Sequence, residues 1–222
     1  MKHILVTGAS GQFGERIVNG LLAATNVITA VSRNVEKFNM LRSLEDKNRL
    51  NLLPCDLVNE DEVSRLAGAV GTVNLLVHLA GGSPADPDNY TICTEQVMMS
   101  INLIGTFGNQ LEHAIIGSCT SVYGSPAGMR VAENHPTLPT TYHGGSQLAS
   151  EKFWNIFSIN SGKPVTCLRF APLAAGGIDS ASKPTLGKDG GLDIAEASEA
   201  VLLAVRTRRA GVFNIYPKIA KL

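Results

Sequence analysis

The residues best equipped for chemistry open the chain as Thr7-Gly8-Ala9-Ser10-Gly11-Gln12-Phe13-Gly14, between a short apolar run and an amphipathic one. G-x-x-G-x-x-G spacing at a strand–helix junction is a phosphate cradle. Gly8 permits the tight turn, Gly11 lets the backbone approach a pyrophosphate, and Gly14 lets the helix pack close to the sheet. Ser10, Gln12 and Phe13 complete the cradle, and the helix N-terminus adds N–H donors and positive potential. The chemistry implied is dinucleotide binding. The second apolar run ends in Ser32-Arg33, where an NAD site usually carries an acid for the ribose 2′-hydroxyl. A hydroxyl and a fixed cation suit a 2′-phosphate better, so NADP(H) is expected over NAD(H). Asp56-Leu57 is placed to flank the adenine, and Ala80-Gly81-Gly82 to meet the cofactor's central part.

Elements must hold these groups in register. Short apolar runs at 3–7, 27–31, 50–54, 73–79, 114–117, 165–170 and 212–215 alternate with helical stretches at 12–24, 35–46, 60–70, 95–111, 146–159 and 194–208. Strand–helix alternation with continuously apolar strands predicts an α/β fold with a parallel sheet covered on both faces. In the last helical stretch Ile194, Ala197, Val201, Ala204 and Val205 recur at helical spacing and give one buried face. Three loops rich in glycine, proline and small polar residues, at 80–90, 118–141 and 171–191, follow strand ends. Ligands bind at such ends in open α/β sheets, so these loops are read as the substrate rim.

Composition removes other classes. Nineteen basic residues against nineteen acidic ones, over 222 residues, leave no basic surface for nucleic acid. With 44% hydrophobic and 17% charged residues the chain is not disordered, and its length favours one domain, 1–222. No apolar run approaches a membrane span or an export signal, and Cys55, Cys93, Cys119 and Cys167 lack metal-ligand spacing. Reduced, mostly buried thiols in a cytoplasmic protein with no metal, no membrane and no nucleic-acid partner are expected.

Taken in order, Thr7–Gly14, Cys55-Asp56-Leu57, His78 to Gly82, Asn102-x-x-Gly105-Thr106, Ser118 to Gly124, Ser146 to Glu151, Leu168 to Pro172 and Asp193 to Ala197 resemble the short-chain dehydrogenase/reductase superfamily, in its extended or atypical epimerase/dehydratase-like branch. The resemblance implies a doubly wound parallel sheet, the Rossmann fold, as a single three-layer domain. It places Gln147, Ala171 and Pro172 against the cofactor as well. It also implies a homodimer pairing through helices 95–111 and 146–159. Their apolar residues include Val97, Met98, Ile101, Ile104, Phe107, Phe153, Trp154, Ile156 and Phe157.

The family's redox chemistry uses a Ser or Thr, a Tyr, and a Lys four residues after the Tyr. Here Tyr90, Tyr123, Tyr142 and Tyr216 are followed at that distance by Thr94, Ala127, Ser146 and Ala220. The family's Tyr-Gly-x-Ser-Lys-x-x-x-Glu pattern aligns best with the segment from His143 to Glu151, which puts His143 at the Tyr position and Gln147 at the Lys position. Cys119 takes the Ser/Thr position, with Ser118 and Thr120 beside it as alternatives and Tyr142 as an alternative acid. An imidazole needs no lysine to titrate near neutrality, so His143 can serve as the proton donor. Cys119 is either a nucleophile or a buried thiol filling the hydroxyl's space. The reading that follows is an NADP(H)-dependent oxidoreductase on a small or medium carbonyl, alcohol or enone, with a reduced C-terminal substrate region that disfavours a large nucleotide-sugar. Two alternatives stand beside it: a non-redox enzyme (epimerase, dehydratase, isomerase or cyclase) and a catalytically silent NADP(H)-binding regulator.

Overall fold

The computed structural model describes residues 2–24, 26–38, 41–45, 48–81, 89–124, 131–173 and 191–217. Seven strands, β1 (His3–Thr7), β2 (Val27–Ser32), β3 (Leu50–Pro54), β4 (Leu75–His78), β5 (His113–Cys119), β6 (Val165–Phe170) and β7 (Gly211–Ile215), form one sheet in the order β3-β2-β1-β4-β5-β6-β7. All pairings are parallel, so every strand ends on the same edge. The strands read as apolar runs because both faces are covered. On one face Ile4, Val6, Ile28, Leu75 and Ile115 pack with Ile17, Val18 and Leu21 of α1 (Gln12–Leu22) and Ala197, Val201 and Ala204 of α5 (Ile194–Thr207). On the other, Leu5, Leu76, Ala114 and Ile116 pack with residues of α2 (Glu60–Val70), α3 (Tyr90–Phe107) and α4 (Tyr142–Ser161), among them Val63, Leu103 and Trp154. This is the doubly wound arrangement expected.

The helices start where capping chemistry starts them. Asn59, Asn89, Thr141 and Asp193 each accept a hydrogen bond from a backbone N–H of the first turn of α2, α3, α4 and α5. Two of these caps move predicted boundaries. Asn89 starts α3 at Tyr90 rather than 95, and Thr141 starts α4 at Tyr142 rather than 146. His143 therefore stands in a helical first turn. The helix expected at 35–46 is absent among the described residues. Asn34 caps a single 3-10 turn, Val35–Lys37, and a second runs Leu41–Leu44, with Phe38 and Leu41 buried as anchors. Apolar spacing there reports two pegs into the core, not a continuous helical face.

Candidate active site

The glycine turn sits at the β1 end, in the centre of the sheet. Gly8 has φ +70°, and a Cβ there would stand 2.7 Å from the Leu79–Ala80 backbone, so both conformation and space require glycine. At Gly14 a Cβ would come within 2.2 Å of the Gly8 carbonyl oxygen, which is the close helix–turn packing expected of it. Gly11 differs: its nearest neighbour would be 3.8 Å away. Among the described residues nothing demands a glycine there, and the space left would admit an approaching pyrophosphate. Gly11 also begins α1 with no side chain capping it, leaving first-turn N–H groups for a ligand.

Other predicted cofactor contacts divide. Ser10 Oγ and Ser32 Oγ are hydrogen-bonded at 2.7 Å, tying the glycine turn to β2. Arg33 is 73% exposed and its guanidinium lies 3.8 Å from the Glu95 carboxylate of α3. Asp56 caps its own turn by accepting from Val58 N–H, and Asn102 donates to the Leu57 and Val58 carbonyls. Leu57 itself is buried in the core, so its side chain packs inward and cannot flank an adenine; Asp56 is the side chain left to do so. Phe13 packs edge-on to Phe170 at 5.3 Å, so its ring is committed to the protein and only its backbone is left for the cradle. Ala80 N–H donates to Thr7 Oγ1, and Gly81 is exposed, its absent Cβ leaving room for the Gln96 carboxamide. Ala171 N–H donates to Ile215 at the β7 end, and Pro172 accepts from Leu192. Gly82 and the Gln12 side chain lie outside the described residues, as do 83–88, 125–130 and 174–190 of the three rim loops.

One β5–α4 corner assembles the predicted catalytic groups. Cys119 ends β5, and its Sγ lies 3.4 Å from Nε2 of His143 on α4. Burial, helped by the Glu151 charge, pushes the Cys119 thiol up against hydrogen bonds from Ser121 and Val122 that pull it down. Burial also pushes the His143 imidazole below its ordinary value. The contact is thus a neutral thiol on a neutral imidazole, which gives Cys119 little thiolate and leaves His143 free to accept a proton. Gln147, one turn further along the same helix face, is 7% exposed and its Oε1 is a buried acceptor without a partner among the described residues. A ribose hydroxyl would satisfy it. Open space at Gly11 and this orphaned acceptor both fit a nicotinamide dinucleotide.

Tyr142 and Ser118 fall away from that corner. Tyr142, one residue from His143, leaves the helix in another direction and is 61% exposed. Ser118 is buried and donates to Glu151 Oε1 at 2.5 Å, so its hydroxyl is committed to the core. Thr120 opens the 3-10 turn Thr120–Tyr123.

Sequence reasoning passed over the frame behind the corner. Glu151, on the His143–Gln147 face of α4, receives Arg169 of β6 in a bidentate pair at 2.9 and 2.6 Å. Arg169 also donates to Tyr123 Oη at 2.6 Å, and Tyr123 donates to Asn214 of β7 at 2.9 Å. Asn214 in turn donates its side-chain amide to the Val131 carbonyl and its backbone N–H to the Glu133 carboxylate. The signal was present: an arginine inside the apolar strand VTCLRF needs a buried partner. Among the described residues no group of three or more His, Cys, Asp or Glu is gathered for a metal, and no helix is long and apolar enough to cross a membrane.

The family model described as NAD dependent epimerase/dehydratase family matches residues 4–184. UDP-glucose 4-epimerase of Halalkalibacterium halodurans is 26% identical over 179 residues, covering 75% of this chain and 49% of that protein. The chain spans about half the length of the curated relatives it matches. The UDP-Glc/GlcNAc 4-epimerase of Campylobacter jejuni superposes with a TM-score of 0.81 at 20% identity, over 97% of this chain and 78% of that one. The enzyme WbmG of Bordetella bronchiseptica, solved in complex with NAD and UDP, gives 0.74 at 23%, over 96% and 71%. At these identities the structural likeness speaks for the fold.

Proposed function

The chain belongs to the NAD dependent epimerase/dehydratase family, a family of enzymes, and from that premise we propose that it catalyses a net redox-neutral reaction, of epimerase or dehydratase type, at a hydroxyl-bearing carbon of its substrate. The family favours this alternative over the carbonyl reductase expected from the sequence. The observation that carries it is the His143–Cys119 contact at 3.4 Å with Gln147 one turn beyond; the sequence resemblance aligns these residues with the family's Tyr, Ser/Thr and Lys. When bound, the nicotinamide supplies a reversible hydride acceptor. His143, neutral near pH 7, takes the proton of the substrate hydroxyl and later returns it, so no net proton or electron is consumed. Cys119 fixes the imidazole from the side, and Gln147 holds the ribose by its unpaired carbonyl oxygen without adding a charge. The turn that Gly8 and Gly14 shape would hold the pyrophosphate at the α1 N-terminus, approached over Gly11.

The finer reading of the cofactor keeps NADP(H) ahead of NAD(H), on the strength of Ser32 and the exposed Arg33 at the β2 end. A second copy of the chain is the proposed partner. Phe107 and Trp154 are buried, but Met98, Ile101, Phe153, Ile156 and Ile159 leave a continuous apolar stripe exposed along α3 and α4.

The test is to load the protein with NAD or NADP and offer UDP-sugars and simpler sugars, following substrate and product by NMR. Interconversion without stoichiometric change in nicotinamide absorbance is the expected result. His143→Ala should lower turnover about 10²- to 10⁴-fold and leave cofactor affinity within a factor of about two. Stoichiometric cofactor turnover would restore the reductase reading, and full activity in His143→Ala would remove His143 from the mechanism.

A further inference from the structure

Resting on the reading of Ser32 and Arg33 as the 2′-phosphate end of the cleft, we infer that Glu95 sets the degree of preference between NADP(H) and NAD(H). Arg33 follows β2 directly, and Glu95 sits in the second turn of α3, the helix after β4. In the strand order β1 and its glycine turn lie between those two elements. The 3.8 Å approach of Arg33 Nη1 to Glu95 Oε2 therefore joins the two flanks of the adenosine side of the cleft. The acid that an NAD site usually carries at the end of β2 is missing from this chain's β2 and is supplied from α3 instead.

Opposite consequences follow for the two cofactors. A ribose 2′-hydroxyl is a donor, and Glu95 can accept from it while Arg33 stays paired. A 2′-phosphate competes for Arg33 and leaves Glu95 beside a group of its own sign. Both side chains are solvent-accessible, at 73% and 36%, so the pair opens at little cost and its effect is screened by salt. Glu95 thus weakens a preference that Arg33 creates.

Equilibrium binding of NADPH and NADH, read by nicotinamide fluorescence or calorimetry, tests this without any turnover. The proteins compared are the unmodified chain, Glu95→Gln, Arg33→Ala and the double variant. Glu95→Gln should raise the NADPH-to-NADH affinity ratio about fivefold at low salt, from removal of one like charge near the phosphate. That gain should shrink at 0.5 M salt, where the Debye length falls to about a few ångströms, and in the double variant it should persist only in part over the Arg33→Ala ratio, since the like-charge repulsion remains while the competition for Arg33 is gone. A Glu95→Gln ratio equal to that of the unmodified chain, with Arg33→Ala still lowering it, overturns the role of Glu95 and leaves the phosphate site standing. If Arg33→Ala also leaves the ratio unchanged, the underlying reading fails with it.

Discussion

Glu151→Gln tests the frame behind the active corner most sharply. The Glu151 carboxylate receives Ser118 at 2.5 Å and Arg169 at 2.9 and 2.6 Å, and both side chains of the pair are 7% exposed. Substituting the amide keeps the shape but leaves the Arg169 guanidinium buried with its counter-charge gone. Breaking a buried pair in this way costs about 3–5 kcal/mol. For a chain of this size that corresponds to a fall in Tm of roughly 6–20 °C. Urea unfolding followed by circular dichroism, with the cofactor absent, would measure it as a drop in midpoint at unchanged slope. The double variant Glu151→Leu/Arg169→Met should lose less than either single change, because desolvated charge is then removed altogether. A loss below about 1 kcal/mol in Glu151→Gln, or strictly additive single changes, would refute a stabilising buried pair.

Other expectations follow from the geometry. Gly11→Ala should leave stability within about 0.5 kcal/mol but weaken NADPH and NADH binding at least about tenfold, since its methyl has room in the protein and none beside a pyrophosphate. Gly14→Ala, facing a 2.2 Å clash with the Gly8 carbonyl, should instead lower stability by about 1–3 kcal/mol; equal behaviour of the two variants would contradict the division of roles. Burial pushes His78 down to about 4, and burial with the Arg208 charge does the same for His113. The unfolded chain then binds protons below pH 6.5 that the folded chain refuses, so stability is lost as pH falls from 6.5 to 4. At about 1.4 kcal/mol per pH unit this amounts to roughly 3 kcal/mol for His78. Urea midpoints across that range should flatten by about half in His78→Asn, and an unchanged slope would exclude His78 as a cause. Ile156→Glu on the exposed face of α4 should yield a monomer by light scattering if a second copy covers that face, and a monomeric parent would reject the pairing.

The sheet and the glycine turn at the β1 end were legible because their signals are local. A glycine triplet between a strand and a helix, and apolar runs at fixed alternation, carry their meaning within a dozen residues. The 35–46 segment misled because Val35, Phe38 and Leu41 repeat every three residues, a spacing that an α-helix and two successive 3-10 turns share. At Leu57 the limit is related: position after a strand locates the backbone but not the side chain, which here turns into the core. The corner of Cys119 and His143 was reached through alignment with a family pattern, and its distance comes from the packing of α4 against β5. Glu95 and the Glu151–Arg169–Tyr123–Asn214 chain were missed because their partners lie far apart in sequence. No periodicity reports a bond between Tyr123 and Asn214 across 91 residues.

That last bond also sets an order of events during synthesis. The glycine turn lies within the first fourteen residues, yet Tyr123, Arg169 and the 131–133 segment receive their final partner only when Asn214 is in place on β7. At translation speeds of about 5–20 residues per second the two ends of the site are made roughly ten to forty seconds apart. The glycine turn is thus made first, but Gly8 gains its Leu79–Ala80 neighbours and α1 its α5 neighbours only as those later segments follow, so the packing of the turn and the brace of the β5–α4 corner are both completed near the end of the chain.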